Sequence, residues 1–331
     1  MNNRITSWLM SRFNVGKIDR LVSSTPILNI IYKLAVQQTI NYDFPTHLFI
    51  EPTNACNFRC RMCPRTNQQL TIGQIDWQLF TKVIDEAKQY GPRNFCLHLF
   101  GEPLLDSRLI EMIAYIKNSN RANTILLTTN GSLLSSEKSL SLIDCGVDKI
   151  SISLTSPDPK TFEKKTGVAL LNLVEKNIED LIKIKRDKSA KKPLIIVRLI
   201  VDEDSEKQIG HFKQRWHNRD IIVELREKHN YGGHIGLSHI KNNPQRYPCY
   251  HLWLSPAIHF DGTVSICCDD FNKQAVLGNI KEQSLHEIWT GPKVQSYRHQ
   301  HLTDNYKNFQ PCQNCDVWNI YSDIFFSWQK K

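Results

Sequence analysis

The run EPTNACNFRCRMCPR, Glu51 to Arg65, sets Cys56, Cys60 and Cys63 in the spacing CxxxCxxC just after a short apolar stretch, His47 to Ile50. Three thiolates on one loop can hold three irons of a [4Fe-4S] cube and leave the fourth iron open to a substrate or cofactor. Zinc is the simpler use of clustered cysteines. It prefers four ligands, however, and commonly draws them from CxxC pairs.

Working outward, short β-rich runs alternate with helical patterns. Phe95 to Pro103 (FCLHLFGEP) reads as an apolar strand ending in a Gly101-Glu102-Pro103 turn. Thr124 to Gly131 (TILLTTNG), Lys149 to Thr155 (KISISLT), Leu194 to Asp202 and Ile221 to His229 supply further strands. Between them, Leu109, Met112, Ile113 and Ile116 recur with helical spacing, and Leu173, Ile178, Leu181 and Ile182 form a second apolar stripe broken by Asn177. Gly146 sits where a helix C-cap would. Strands alternating with helices predict parallel βα units.

The cysteine spacing with these strand ends resembles the radical S-adenosylmethionine (SAM) superfamily. The resemblance implies an α/β fold, a partial (β/α)6 TIM-type barrel over about residues 47 to 235, with chemistry at the C-terminal ends of its strands. It assigns Cys56, Cys60 and Cys63 to the SAM-binding [4Fe-4S] cluster. Met62 takes the place of the family's usual hydrophobic or aromatic residue near the adenine. Gly101, Glu102 and Pro103 are assigned to the SAM amino group, with the carboxylate expected to face the ammonium and the glycine to allow close backbone approach. Ser153, Arg198 and Asn130 are further SAM contacts by the same resemblance.

Five later cysteines lie in CYHLWLSPAIHFDGTVSICCDD (249–270) and PCQNC (311–315). Cys249, Gly262 and Cys267, then LGNI, SLHEIW and a closing CxxC, look like a small C-terminal Fe–S cluster-binding SPASM or Twitch domain. A complete SPASM domain has seven cysteines, and nothing after Cys315 supplies the missing ones. One auxiliary [4Fe-4S] cluster held by Cys249, Cys267, Cys312 and Cys315 is therefore expected, with Cys268 as the competitor for the place of Cys267. Four ligands leave no open iron, so the implied role is electron transfer. Intervening segments of 17, 44 and 2 residues are similar to those of the radical-SAM aminocyclitol dehydrogenases. Cys96 and Cys145 read as small buried hydrophobes.

The expected organisation is an N-terminal helical extension (1–45), the barrel (46–235) and the auxiliary-cluster domain (236–331). A chain of 331 residues with 40% hydrophobic residues can bury a core of that size. Ten cysteines in cluster spacing argue for reduced thiols and a cytoplasmic protein. The apolar run Pro26 to Val36 contains Lys33 and is too short to span a bilayer, so the extension is expected to pack on the barrel, with peripheral membrane contact as the alternative. The formal charge of +9 is concentrated in part in KIKRDKSAKK, 183–192. That run lacks interleaved aromatics, which speaks against nucleic acid and leaves open an anionic partner, such as a flavodoxin or ferredoxin reductant or a phosphorylated or nucleotide-linked substrate.

The family's chemistry implies reductive cleavage of SAM and hydrogen abstraction from a C–H bond. The leading expectation is two-electron oxidation of a sugar or aminocyclitol alcohol, with the auxiliary cluster as electron acceptor. The alternatives are a maturase acting on a ribosomal peptide and a sugar epimerase. In ELREKHNYGG, 224–233, Arg226 is the candidate for binding a hydroxyl or anionic group and His229 the candidate proton acceptor. A surface ion pair is the plain alternative for the arginine.

Overall fold

The structure, a computed structural model, describes residues 33, 43–202, 205–235 and 246–319. The N-terminal extension therefore lies outside the described residues, Lys33 and residues 43–45 excepted. The apolar runs form β1 (His47–Ile50), β2 (Asn94–Cys96), β3 (Thr124–Thr129), β4 (Lys149–Ser153), β5 (Leu194–Val201) and β6 (Ile222–Glu227). They lie side by side in chain order, every neighbouring pair parallel. Parallel neighbours need a crossover, and helices provide it: α1 (Trp77–Lys88), α2 (Leu109–Ser119), α3 (Ser136–Asp144), α4 (Pro159–Thr166), α5 (Leu171–Asp187) and α6 (Ile209–Trp216). This is the α/β partial barrel.

The apolar stripe of α2 is buried as expected, whereas in α5 the buried face runs through Leu171, Val174, Ile178 and Leu181, and Leu173, expected on it, is exposed because it lies two positions from Leu171 on the helix surface. Leu109, Met112, Ile113 and Ile116 of α2 are all buried. The break at Asn177 in α5 has a purpose that periodicity hides. Its buried side-chain amide donates to the carbonyls of Gly131 (2.8 Å) and Ser132 (3.2 Å), which follow β3. A buried amide is tolerated when its bonds are made, and these fix the turn at the end of β3.

β2 is shorter than the sequence suggested. It ends at Cys96, and Leu97 donates one more bond to the Leu126 carbonyl (3.0 Å). Beyond that the chain leaves the sheet for the cysteine loop, with the Phe100 N–H on Glu51 Oε1 (3.2 Å) and the Glu102 N–H on the Ala55 carbonyl (2.7 Å).

On the far side of β1 the sheet continues through β7 (Ala257–Ile258), β8 (Thr263–Ser265) and β9 (Val276–Asn279), in the order β6-β5-β4-β3-β2-β1-β7-β8-β9. β7 is parallel to β1, whereas β8 and β9 run antiparallel to their predecessors. The C-terminal segment thus extends the barrel's own sheet, and Ile258, Val264 and Leu277 share an apolar cluster with Leu48 and Ile50. Gly262 makes the β7–β8 turn at φ +85°, a left-handed conformation that L side chains disfavour. The short helices α7 (His251–Leu254), α8 (Leu285–Thr290) and α9 (Pro292–Leu302) surround this hairpin in sequence.

Candidate active site at the C-terminal ends of the strands

The cysteine loop follows β1 directly and is held from several sides. The N–H groups of Arg59 and Arg61 donate to the carbonyls of Thr166 (3.0 Å) and Lys165 (2.9 Å) at the end of α4. Within the loop, Cys63 N–H reaches the Cys60 carbonyl (2.9 Å), which also accepts from Thr66 Oγ1 (2.7 Å). The buried Glu51 carboxylate takes the N–H groups of Phe100 (3.2 Å) and Phe260 (3.3 Å), tying the loop to the β2 turn and to the C-terminal hairpin. Cys56, Cys60 and Cys63 stay half-buried. Burial pushes all three thiols up, Cys60 to about 12 with the other two cysteines adding to the effect. Thiols packed this way become thiolates when a cationic metal centre compensates them.

All three line a cavity of about 260 Å³ enclosed by the C-terminal ends of the parallel strands. The same wall carries Met62, Gly101, Glu102, Asn130, Ser153 and Arg198, and from the sixth strand and its loop Arg226 and His229. Pro103 is not on the wall; it opens a tight helical turn, Pro103–Leu105, of which Pro103 and Leu104 are buried.

Glu102 is engaged with its own chain. Its carboxylate accepts from Thr129 Oγ1 (2.7 Å), the Asn130 N–H (2.7 Å) and the Leu104 N–H (3.1 Å), pinning the β2 turn to the end of β3. Gly101 likewise answers to protein. A Cβ there would lie 2.0 Å from the Thr53 carbonyl oxygen and 2.7 Å from that of Ala55, so this turn packs backbone to backbone on the cysteine loop.

Ser153, Arg198 and Glu224 sit in register across β4, β5 and β6, and Arg198 Nε pairs with Glu224 Oε2. Burial alone would raise the Glu224 pKa, but Arg198 and Arg226 hold it below the usual carboxylate range. Burial, helped by the same arginines, lowers His98 and His229 to about 3. Near neutral pH the two imidazoles are thus uncharged, and Arg198 and Arg226 are the cations on this wall. His229 Nδ1 lies 3.4 Å from Asp269 Oδ1, and its ring packs 4.0 Å from that of Tyr231.

A second set of thiols lies behind this wall. Cys249 precedes α7, Cys267 follows β8, and Cys312 and Cys315 flank a tight turn; these four line one small closed pocket. Burial raises all four thiols, Cys249 to about 11 and Cys312 to about 12. The Arg246 guanidinium reaches the Cys312 carbonyl (2.6 Å). Cys268 does not line that pocket. It lines the main cavity, where its Sγ lies 3.4 Å from Asp269 Oδ2. His251 borders both spaces. Cys96 is buried on β2 and Cys145 caps the C-terminal end of α3; neither lines either space.

Asp269, Tyr231 and His251 escaped the sequence reading. Asp269 had a local signal in the pair that follows the adjacent cysteines, and Tyr231 precedes two glycines that turn the chain at φ +66° and +90°. His251 had none, since its position depends on how α7 packs.

A family profile described as the Radical SAM superfamily matches residues 50–211, and one described as an iron-sulfur cluster-binding domain, SPASM, matches 249–316. The chain is 25% identical over 316 residues to the tungsten-containing aldehyde ferredoxin oxidoreductase cofactor-modifying protein of Pyrococcus furiosus, covering 82% of this chain and 87% of that protein. It is 33% identical over 133 residues to a probable GTP 3′,8-cyclase of Methanococcus maripaludis, covering 40% of this chain and 44% of that protein, so it spans less than half the length of that relative. Among solved structures, BtrN in complex with AdoMet and 2-DOIA is similar at a TM-score of 0.59 and 19% identity, covering 82% of this chain and 93% of that one. Streptococcus suis SuiB bound to the precursor peptide SuiA is similar at 0.64 and 15%, covering 88% and 74%. At these identities the two structural likenesses are of fold.

Proposed function

The chain belongs to the radical SAM superfamily and carries a C-terminal SPASM domain, and from that premise we propose that it abstracts a hydrogen atom from an alcohol-bearing carbon of a small hydroxylated molecule of the sugar or aminocyclitol class. Its cofactors are a SAM-binding [4Fe-4S] cluster and an auxiliary Fe–S cluster. When bound, the first cluster and SAM supply a 5′-deoxyadenosyl radical. The donor sets fit both groups. Cys56, Cys60 and Cys63, open to the cavity, would hold the first with one iron left over for SAM. Cys249, Cys267, Cys312 and Cys315 around their closed pocket would hold the second with none.

The observation that carries the substrate class is the part of the cavity wall not expected to contact SAM. Arg226 and Thr155 offer hydrogen bonds suited to hydroxyls, beside imidazoles kept neutral by burial. The names of the curated relatives point the same way, to a cofactor and to GTP, as does the 2-DOIA bound by BtrN. A peptide substrate has the SuiB complex in its favour, and that support is of fold.

The carbinyl radical left by abstraction has two fates. Loss of an electron and a proton gives a ketone; the auxiliary cluster that the four cysteines would hold could take the electron, and the neutral His229 ring or solvent the proton, with Arg226 the candidate group for the hydroxyl, and the four-cysteine pocket supports this oxidation. Return of a hydrogen atom gives back an alcohol, and the thiol on the cavity wall supports that. The step common to both is tested with a panel of aminocyclitols and nucleotide sugars deuterated at their ring carbinol carbons. A true substrate raises 5′-deoxyadenosine formation and transfers deuterium into it. A panel that does neither, while a peptide does, would replace the substrate class.

A further inference from the structure

Cys267 and Cys268 are consecutive, yet they serve two spaces. The first lines the closed pocket with Cys249, Cys312 and Cys315, and the second lines the cavity that holds the Cys56 loop. The Cys268 thiol donates toward Asp269 Oδ2 at 3.4 Å, and Asp269 Oδ1 lies 3.4 Å from His229 Nδ1. A thiol, a carboxylate and an imidazole thus form one chain along the wall. Metal binding at the first pocket leaves Cys268 over, and burial alone does not account for it, since it is in part accessible from the cavity.

We propose that the Cys268 thiol is the hydrogen-atom donor of this site, returning hydrogen to the substrate radical so that an alcohol carbon is inverted and not oxidised. The proposal rests on the abstraction step above and chooses between its two fates. An S–H bond is weaker than a carbinol C–H bond, so transfer from sulfur to carbon runs downhill. The balance is closed as follows. The substrate loses a hydrogen atom to the 5′ carbon, giving 5′-deoxyadenosine. The carbinyl radical takes the hydrogen atom of Cys268, forming a new C–H bond and leaving a thiyl radical. One electron from the reductant that primes the cycle, dithionite or a reduced flavodoxin, and one proton from water in the cavity restore the thiol. Hydrogen leaves toward the loop after β1 and returns from the turn after β8, two separate elements of the wall. Asp269 orients the S–H through its hydrogen bond.

The test uses the reconstituted holoenzyme in D2O with SAM, dithionite and a small-molecule fraction of the source cells chosen because it raises 5′-deoxyadenosine formation. One compound of that fraction is expected to gain a single carbon-bound deuterium with its formula otherwise unchanged. Cys268→Ala and Cys268→Ser should keep their iron and still form 5′-deoxyadenosine, while deuterium gain falls about tenfold or more. The serine variant matters because its O–H bond is too strong to donate. Independently of turnover, Cys268→Ser should keep the visible and EPR spectra of both clusters, which the loss of a cluster ligand would change. Undiminished deuterium gain in Cys268→Ser, or a wild-type product two hydrogens lighter, overturns the proposal. So does an altered auxiliary-cluster spectrum in that variant, or a cation bound between Cys268, His251 and Asp269, whose donor atoms lie within 4.8 Å of one another. If no fraction raises 5′-deoxyadenosine, the abstraction step itself fails.

Discussion

Asn230 and Asp316 exchange hydrogen bonds across the molecule: the Asn230 N–H donates to Asp316 Oδ1 (3.0 Å) and the Asp316 N–H to Asn230 Oδ1 (3.3 Å). Asn230 Nδ2 adds a bond to the Asn314 carbonyl (2.6 Å). The loop that carries His229 and Tyr231 into the cavity is thereby clamped to the turn that carries Cys312 and Cys315. Asn230→Ala keeps the backbone N–H but removes the other two of these contacts, leaving the Asp316 N–H and the Asn314 carbonyl without their partner at a buried site, and should cost about 2–3 kcal/mol. In urea unfolding the variant should be weaker by that amount, and it should lose auxiliary iron before it loses SAM cleavage. A variant as stable as wild type would mean the clamp is slack.

The two thiol sets should separate by iron count. Holoenzyme is expected to bind about eight irons, as two cubes do. Cys60→Ala should retain about four and form no 5′-deoxyadenosine, whereas Cys267→Ala should lose or degrade the other cube and still cleave SAM. Iron analysis with visible spectroscopy reads both, and zinc in either site would remove the redox role assigned to it.

Gly101→Ala tests the contact between the β2 turn and the cysteine loop. A methyl group 2.0 Å from the Thr53 oxygen has nowhere to go, and overpacking of this kind costs about 1–3 kcal/mol or more. The displaced loop should hold its cluster poorly, so SAM cleavage should drop more than tenfold, about 1.4 kcal/mol or more in barrier terms. Auxiliary iron should be unchanged. Equal loss from both sites would show general unfolding instead.

His47 makes stability depend on pH. Its ring nitrogens meet Thr46 Oγ1 (2.9 Å) and Asn94 Nδ2 (3.1 Å), and burial, with His251 and Lys149 nearby, lowers its pKa from 6.5 to about 3. The folded state prefers the neutral ring, so this contribution is complete above 6.5 and is lost as pH falls from there toward 3. Each unit below 6.5 should cost up to about 1.4 kcal/mol. Urea unfolding of wild type and His47→Gln at about pH 7 and about pH 5.5 should give a shallower slope for the variant by roughly that amount per unit. Parallel slopes would place the titration elsewhere.

Much of the site was legible because its signals are local. Ligand spacing on a single loop made Cys56, Cys60 and Cys63 readable, and helical and strand periodicities laid out six parallel strands whose ends had to converge. Arg226 and His229 could be named from the last of those strand ends, and Ser153 and Arg198 from the family resemblance. Glu102 could be named too, but its three hydrogen-bond donors within the protein could not, since they come from a different strand and a different turn.

What the residues determined by themselves was chemistry carried by neighbours in the chain: a three-thiol loop, a second set of cysteines around Gly262, and alternating βα units. Only the tertiary structure decided which of two adjacent cysteines faces which space. Side chains point to opposite sides in extended chain, so that choice turns on where β8 ends and how β7 docks parallel to β1. The docking of β7 on β1 also makes the C-terminal segment part of the barrel's sheet. It brings His251, Cys268 and Asp269 to a cavity whose other residues precede them by more than a dozen positions in the chain. Such contacts between distant segments are set by packing, which no local pattern encodes.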